Sequence, residues 1–376
     1  MSVMERAWSP LGYTAPNPVA YPWMWLWDSC FHSLVWHALG DGERAVVELE
    51  SALSTIDDSG FVPHMGYQLD PQRSVELWGR RGASSISQPP MYGHVIAELS
   101  RAGVVLREEL LDRAARGLRF FLDRRVRHLE SELIEVVHPW ETGCDDSPRW
   151  DGLAGSEPFD LKRWRELKNR LLARIVRGSA GEPLANPDCA AAPCGFNALV
   201  AFNAAELATV TADRDLEVAA CELAEALDQQ FDVQFRTWAD AGVLSSGSGR
   251  IRTAEGLLPL LVSRSEVARR SVLEELVDPD AYCARYGPRG VHAEEPAYDP
   301  TAYWRGPVWP HLSYLLWLAV RRVSPEGSAA RLVGNSTTKG AMASGLAEYW
   351  DGDRGTGLGA IPQSWTGLVL LLDRRP

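Results

Sequence analysis

The residues best equipped for chemistry gather in four segments: 21–31 (YPWMWLWDSCF), 138–151 (HPWETGCDDSPRWD), 303–311 (YWRGPVWPH) and 348–366 (EYWDGDRGTGLGAIPQSWT). Each holds at least one Trp, and three hold acidic residues. Flat indole faces suit the C–H face of a sugar ring, while carboxylates bond its hydroxyls or move protons. In the second segment Asp145 adjoins Asp146, with Glu141 close by and Arg149 three residues further on. Crowded like charges raise one carboxyl's pKa, which a general acid working near neutral pH requires. Spacing alone leaves Asp145 and Asp146 as alternatives, and Asp146 could instead cap the following turn. Glu348, ahead of Tyr349–Trp350–Asp351 and a Gly-rich loop, is the matching candidate for a base; its plain alternative is a solvent-facing helix residue.

Around these carboxylates stand candidates for substrate binding. Asp28 closes an aromatic run, where it would bond sugar hydroxyls or cap a helix. Trp23, Trp27, Trp304 and Trp309 are subsite walls or core, and Tyr21, Trp140 and Trp365 join the substrate-binding set. Tyr303 and Arg305 face a pocket in this reading, although Arg305 could equally pair a structural carboxylate. Gln88 is a further hydroxyl-binding candidate. Lys162, Arg163 and Arg165 follow the acidic loop and would clamp an anionic leaving group, or simply form a solvated helix face. His64, His138 and His311 also lie in loops. A pair of them exchanging a proton would suit a sugar epimerase or isomerase instead.

The elements that must position these loops read as helices. Residues 43–56 place Val46, Leu49, Leu53 and Ile56 at helical period, and residues 29–39 follow Asp28. Pro89–Pro90 open a third helix that ends near Arg101, and residues 107–125 give a fourth. The stretch 159–177 is amphipathic and basic. Later helices are expected over 196–212, 215–231, 255–262, 264–277, 307–322, 338–349 and 364–372. Residues 132–137 (ELIEVV) are the best strand candidate. Eleven or twelve helices alternating with loops fit an all-α toroid of six hairpins and not a βαβ arrangement. One domain spanning 1–376 is expected, with 151–190 as a small excursion.

Composition narrows the partners. The chain has 376 residues, 15 of them Trp against 9 Phe and 10 Tyr, and a formal net charge of −12. That charge argues against nucleic acid or an anionic membrane surface as the main partner but does not exclude an anionic small substrate, since one local Arg can reverse the global field; the partner expected is a small carbohydrate. The six cysteines show no C-x-x-C spacing, so zinc and dithiol readings have little support, and scattered thiols point to a reducing compartment. Residues 1–21 lack a basic start followed by an apolar run, and the longest apolar run, 314–320, is too short to span a bilayer. A cytoplasmic location is expected.

In this order, the four segments resemble glycoside hydrolase family 63, above all its bacterial branch acting on mannosylglycerate and glucosylglycerate; the trehalases of family 37 are more distantly similar. GFVPHM (60–65), SQPP (87–90), GFNALV (195–200) and YDPTAYWRGPVWP (298–310) extend the likeness over nearly the whole chain. The resemblance implies an (α/α)6 barrel, an inverting mechanism, and no metal or other cofactor in the chemistry. It implies the general acid at Asp145 and the general base at Glu348. It further implies hydrolysis of a small α-glucoside or α-mannoside of the glucosylglycerate or mannosylglycerate kind, whose compact aglycone could be anionic, with a trehalase-like or natural-product α-glycosidase second; a sugar-binding relative without turnover is a further alternative. The sequence departs from the family at Cys144, where a bulky apolar residue is usual, at Thr142 in place of Ser, and at Gln363 where an aromatic is common. The chain is also shorter than many relatives, so trimmed lid loops are expected.

Overall fold

A computed structural model describes residues 2–155, 159–244, 250–325 and 327–372. Its helices are α1 (Val3–Ala7), α2 (Leu26–Ala38), α3 (Gly42–Ala52), α4 (Arg73–Trp78), α5 (Tyr92–Arg101), α6 (Glu108–Arg119), α7 (Asp151–Ala154) and α8 (Leu161–Leu172). Then come α9 (Cys194–Thr211), α10 (Arg214–Asp228), α11 (Glu266–Val277), α12 (Pro310–Val323) and α13 (Ser328–Ala343). Two 3₁₀ segments, Ala254–Leu261 and Ser364–Leu371, stand where the sequence suggests helices.

The molecule is predominantly helical, and its helices fall into two kinds. Some are apolar on every side. In α2 every residue from Leu26 to Trp36 is buried, and α9 is buried almost throughout its first four turns. Others, such as α6 and α10, bury one stripe and expose the rest. The packing follows from that division. Helix α2 lies against α5, α5 against α9, α9 against 254–261, that segment against α12, α12 against 364–371, and 364–371 again against α2. On the outside α3 backs α2, α6 backs α5, α10 backs α9, α11 backs 254–261 and α13 backs α12.

Strands are two residues long, or three in one case, and occur only as two-stranded pairs among the described residues. Two pairs bear on the site: Met24–Trp25 with Met65–Gly66, and Tyr349–Trp350 with Gly357–Leu358. The strand expected over 132–137 does not form. Ile134 and Val136 make only isolated bridges, to Arg127 and Ala191, and the Asn197 side chain bonds the Ile134 backbone at both N–H (2.7 Å) and C=O (3.0 Å). A side-chain amide thus satisfies the groups a ladder would have used.

The helix expected over 338–349 is displaced toward the N-terminus: α13 starts at Ser328 and ends at Ala343. Gly334, Asn335 and Ser336 are weak helix formers, but Ala329, Ala330, Val333, Thr337 and Ala341 are buried and α13 packs on α12, so tertiary packing overrides propensity. Within the expected excursion 151–190, residues 156–158 lie outside the described residues. The remainder forms α7, α8 and the pair Val176–Arg177 with Pro183–Ala185. No helix among the described residues is long and apolar enough to cross a membrane.

Candidate active site

The loops at one end of the helices enclose a cavity of about 300 Å3. Tyr21, Trp25, Trp27, Asp28, His64, Trp78, Gln88, Trp140, Gly143, Asp145, Tyr303, Trp304, Glu348, Gln363 and Trp365 are among its lining residues.

The acidic loop is built by local bonds before it meets the cavity. His138 Nδ1 accepts the Trp140 N–H (3.1 Å), so its Nε2 carries the proton and donates to the Lys168 carbonyl (2.9 Å). Pro139 then opens a 3₁₀ turn to Thr142. Glu141 is buried and fully spoken for: Arg125 bonds it twice (3.0 and 2.7 Å), and it takes the N–H groups of Val137 (2.8 Å) and Ser87 (3.2 Å). That last bond ties the acidic loop to the Gln88 loop. Gly143 sits at φ +74°, and a Cβ there would lie 2.3 Å from the Trp27 indole. Only glycine meets both demands.

Asp145 follows. Its Oδ2 accepts Trp140 Nε1–H (2.9 Å) and a short bond from the Lys168 ammonium, and Lys168 also bonds Asp146 Oδ1 (2.6 Å). Trp164 Nε1 donates to the Asp145 carbonyl and to Asp146 Oδ1, both at 2.9 Å. Asp145 lines the cavity, whereas Asp146 stays behind it, held by Lys168 and Trp164. Burial, and next the Asp146 charge, raise the Asp145 pKa to about 6, with Lys168 pulling the other way. A carboxyl so tuned is part-protonated in mildly acidic solution. Since Oδ2 already accepts two bonds, Oδ1 is the natural seat of the proton.

Glu348 faces the same cavity in a different setting. Its Oε2 takes the Ala360 N–H (2.8 Å), and Tyr21 O–H donates to Oε1 (3.2 Å). Burial raises its pKa, and these two donors oppose the rise. The approach of Ala360 depends on Gly359 at φ +69°, where a Cβ would lie 2.4 Å from Glu348 Oε2. Asp28 is buried, and burial followed by the Glu348 charge holds its carboxyl well above the usual range. Gln88 Oε1 accepts the Trp27 N–H at 3.4 Å, which leaves its amide N–H groups for the cavity.

The family model for the mannosylglycerate hydrolase MGH1-like glycoside hydrolase domain matches residues 21–366. The chain belongs to glycoside hydrolase family 63. It is 26% identical to a mannosylglycerate hydrolase of Thermus thermophilus, covering 96% of both chains. It is 28% identical to a glucosylglycerate hydrolase of Mycolicibacterium hassiacum, covering 95% of this chain and 93% of that one. Its fold matches the crystal structure of a Thermus thermophilus family 63 mannosylglycerate hydrolase in complex with Tris and D-glycerate (TM-score 0.81, 24% identity, 98% and 97% covered). A neutral trehalase from Saccharomyces cerevisiae is a more distant structural match (TM-score 0.61, 16% identity, 96% and 72% covered).

In this family 63 glycoside hydrolase the cavity gathers Tyr21, Trp27, Asp28, Gln88, Trp140, Asp145, Tyr303, Trp304, Glu348 and Trp365, all candidates from the sequence. Three others lie outside its wall. Trp23 packs on Tyr67 (4.8 Å) beneath Arg73. Trp309 is core, stacked on Trp304 at 3.5 Å and on Tyr349 at 4.5 Å. Arg305 is bidentate to Asp151 (2.9 and 2.5 Å) and lies over the Phe159 ring. Its alternative, a structural pair, is the one realised. The clamp candidates Lys162, Arg163 and Arg165 are exposed on α8.

Of the histidines, His64 alone lines the cavity. Burial and then the His138 charge lower its pKa to about 3, and burial alone takes His311 to about 3. His138 is held at about 4, again chiefly by burial. No pair of cavity-facing histidines exists among the described residues to exchange a proton as an epimerase would.

Glu348 is not the helix residue of its plain reading, because α13 ends five residues earlier and Glu348 enters a hairpin. Sequence reasoning missed Lys168, Trp78, Trp25 and Gln363. Lys168 had a readable signal: it falls on the Trp164–Leu171 stripe that α8 buries, where an apolar residue is the norm. Among the described residues, one His–carboxylate group could hold a metal, His94–Glu98–Glu206. None of the three lines the cavity, and Arg101 (2.8 Å) and Arg322 (2.9 Å) already claim Glu206.

Proposed function

We propose that this glycoside hydrolase cleaves a small α-glucoside or α-mannoside with inversion, using Asp145 as general acid and Glu348 as general base. The observation that carries the reading is a pair of carboxyls in contrasting settings on one indole-walled cavity. Asp145, beside a second carboxylate, has its pKa raised to about 6 and can deliver a proton to the glycosidic oxygen. Glu348 is held as an acceptor by Tyr21 and the Ala360 N–H and can take a proton from water. Tyr21, Trp27, Asp28, Gln88, Trp140, Tyr303, Trp304 and Trp365 would grip the sugar, the indoles on its C–H faces and the polar groups on its hydroxyls. The relatives' named substrates, mannosylglycerate and glucosylglycerate, support a substrate of this size.

The cycle of helix contacts running from α2 through 364–371 and back supports an (α/α)6 barrel. One domain spanning 1–376, with 151–190 as an excursion, fits it. The cysteines are all free, which fits a reducing, cytoplasmic setting.

Proton NMR tests the mechanism. An inverting pair releases the β-anomer first from an α-glycoside and needs carboxyls roughly 6.5–9.5 Å apart, with room for a water. Initial α-anomer, or a covalent glycosyl adduct on Glu348, would overturn inversion.

A further inference from the structure

Helix α2 is buried along the whole run Leu26–Trp36, yet it carries a histidine there. His32 lies one turn beyond Asp28 and is fully buried. Its two ring nitrogens face different elements. Nδ1 is 3.6 Å from Glu48 Oε1, a buried carboxylate on α3, and Nε2 is 2.6 Å from Ser364 Oγ. Glu48 also takes the Thr14 N–H (2.9 Å) and the Thr14 hydroxyl (2.6 Å). Ser364 donates to the Pro16 carbonyl from its N–H and from its hydroxyl, each at 3.0 Å. Buried polar groups are costly unless each finds a partner, so this carboxylate, imidazole and hydroxyl form one connected unit through an apolar layer.

The same three groups in this order can activate a serine nucleophile, but Ser364 is 1% exposed and outside the cavity wall, beyond a substrate's reach. Its neighbours decide its role. Gln363 and Trp365 flank it and line the cavity, as does Pro16. Asn17 Nδ2 adds a bond to the Pro362 carbonyl (2.9 Å). The array therefore joins wall residues from opposite ends of the chain to α2, which carries Trp27 and Asp28 into the same cavity.

We propose that His32 and Ser364 are positioning residues, and that the Glu48–His32–Ser364 array sets the Pro16, Gln363 and Trp365 part of the sugar-binding wall against α2. The inference rests on the glycosidase reading above. Three variants test it: Ser364→Ala, His32→Asn and His32→Gln. Asn places its amide near Nδ1 and drops Ser364, whereas Gln reaches the Nε2 position and keeps that link. Ser364→Ala and His32→Asn should each raise KM for the better of α-glucosyl- and α-mannosylglycerate by roughly two- to tenfold, the worth of one hydrogen bond. Trp365 Nε1 also reaches the Glu348 carbonyl (3.2 Å), but the Ala360 N–H (2.8 Å) and C=O (2.9 Å) hold Glu348 independently. Accordingly kcat should stay within about threefold. The Ser364→Ala, His32→Asn double variant should cost no more than either alone, because both break one link. His32→Gln should keep KM within about twofold of wild type. A purely structural role would lower the melting temperature and the active fraction and leave KM in place, so thermal melts run alongside. Calorimetry with glucose and mannose reads the same weakening without turnover. Unchanged KM and Kd in Ser364→Ala and His32→Asn, or a His32→Gln as weak as His32→Asn, overturns the proposal and leaves the glycosidase intact. A wild type that neither cleaves these glycosides nor binds either hexose overturns the glycosidase reading, and the proposal with it.

Discussion

Lys168→Met removes the cation that joins Asp145 to Asp146 and lies over the Trp140 and Trp164 rings, while keeping an unbranched side chain of similar length. Lys168 is 5% exposed and the two carboxylates 16% and 15%, so solvent screens the triad little. A cation this close lowers a carboxyl's pKa by about 1–3 units, so its loss raises the pair's titration by a similar amount. Asp145 already stands at about 6. A general acid is active while protonated, so kcat/KM falls as pH rises through the pair's apparent pKa. That basic limb, near pH 6 in the wild type, should therefore move to roughly pH 7–9 in the variant. At pH 7 a group of pKa 6 is about one-tenth protonated, so the shift alone would raise kcat/KM about five- to tenfold there.

Lost orientation of Asp145 works against this and lowers the plateau at all pH values, so the limb position isolates the electrostatic role. Lys168→Arg should keep the limb in place. Stability changes in the same pH sense as activity. With the folded pKa of Asp145 raised further above the unfolded value, its contribution to stability is fully present below about pH 4 and is lost as pH rises through the folded pKa. The assay is a kcat/KM profile from pH 4 to 10, with thermal melts at each end. A basic limb that stays put or moves down in Lys168→Met would refute the electrostatic argument.

Asp145→Asn should cut turnover by on the order of 10²–10⁴-fold, and Asp146→Asn should be milder; the reverse ranking in steady-state kinetics would move the acid by one residue. Tyr21→Phe removes a donor to ionised Glu348, so the acid limb of the profile should rise, with a loss of about 0.5–1.5 kcal/mol in transition-state stabilisation at neutral pH; an unmoved limb would detach Tyr21 from the base. Gly143→Ala forces a Cβ into Trp27 at φ +74° and should lower stability by about 1–3 kcal/mol and weaken sugar binding, read by calorimetry. Wild-type kcat/KM should peak in the mildly acidic range, bounded below by Glu348, raised by burial, and above by Asp145 near 6; a flat profile up to pH 8 would contradict the assignment.

The sequence alone determined the helical class and most of the candidates that line the cavity, for reasons that act locally. Apolar runs at helical period, such as 194–211, can only be buried helices, and loops that concentrate Trp with Asp and Glu are costly unless they line something. That is why Asp145, Glu348, Asp28, Trp27, Trp140 and Trp365 are legible in the sequence as lining candidates. Asp145 and Asp146 could not be separated by spacing, because adjacent residues share every local signal. Only the packing of α8 decides which of them faces the cavity, since Trp164 and Lys168 hold Asp146 behind it. Arg305 and Trp309 read equally well as wall or core from their neighbours in sequence. Their partners Asp151 and Trp304 choose between the two, through distances the chain order does not contain. The helix α13 and the missing strand at 132–137 follow the same rule: α12 and Asn197 supply from elsewhere in the chain what local propensity lacked or would have used. The charge of the cavity is likewise a tertiary property, because the basic residues that follow the acidic loop lie on α8, where the helical period exposes Lys162, Arg163 and Arg165 and buries Lys168.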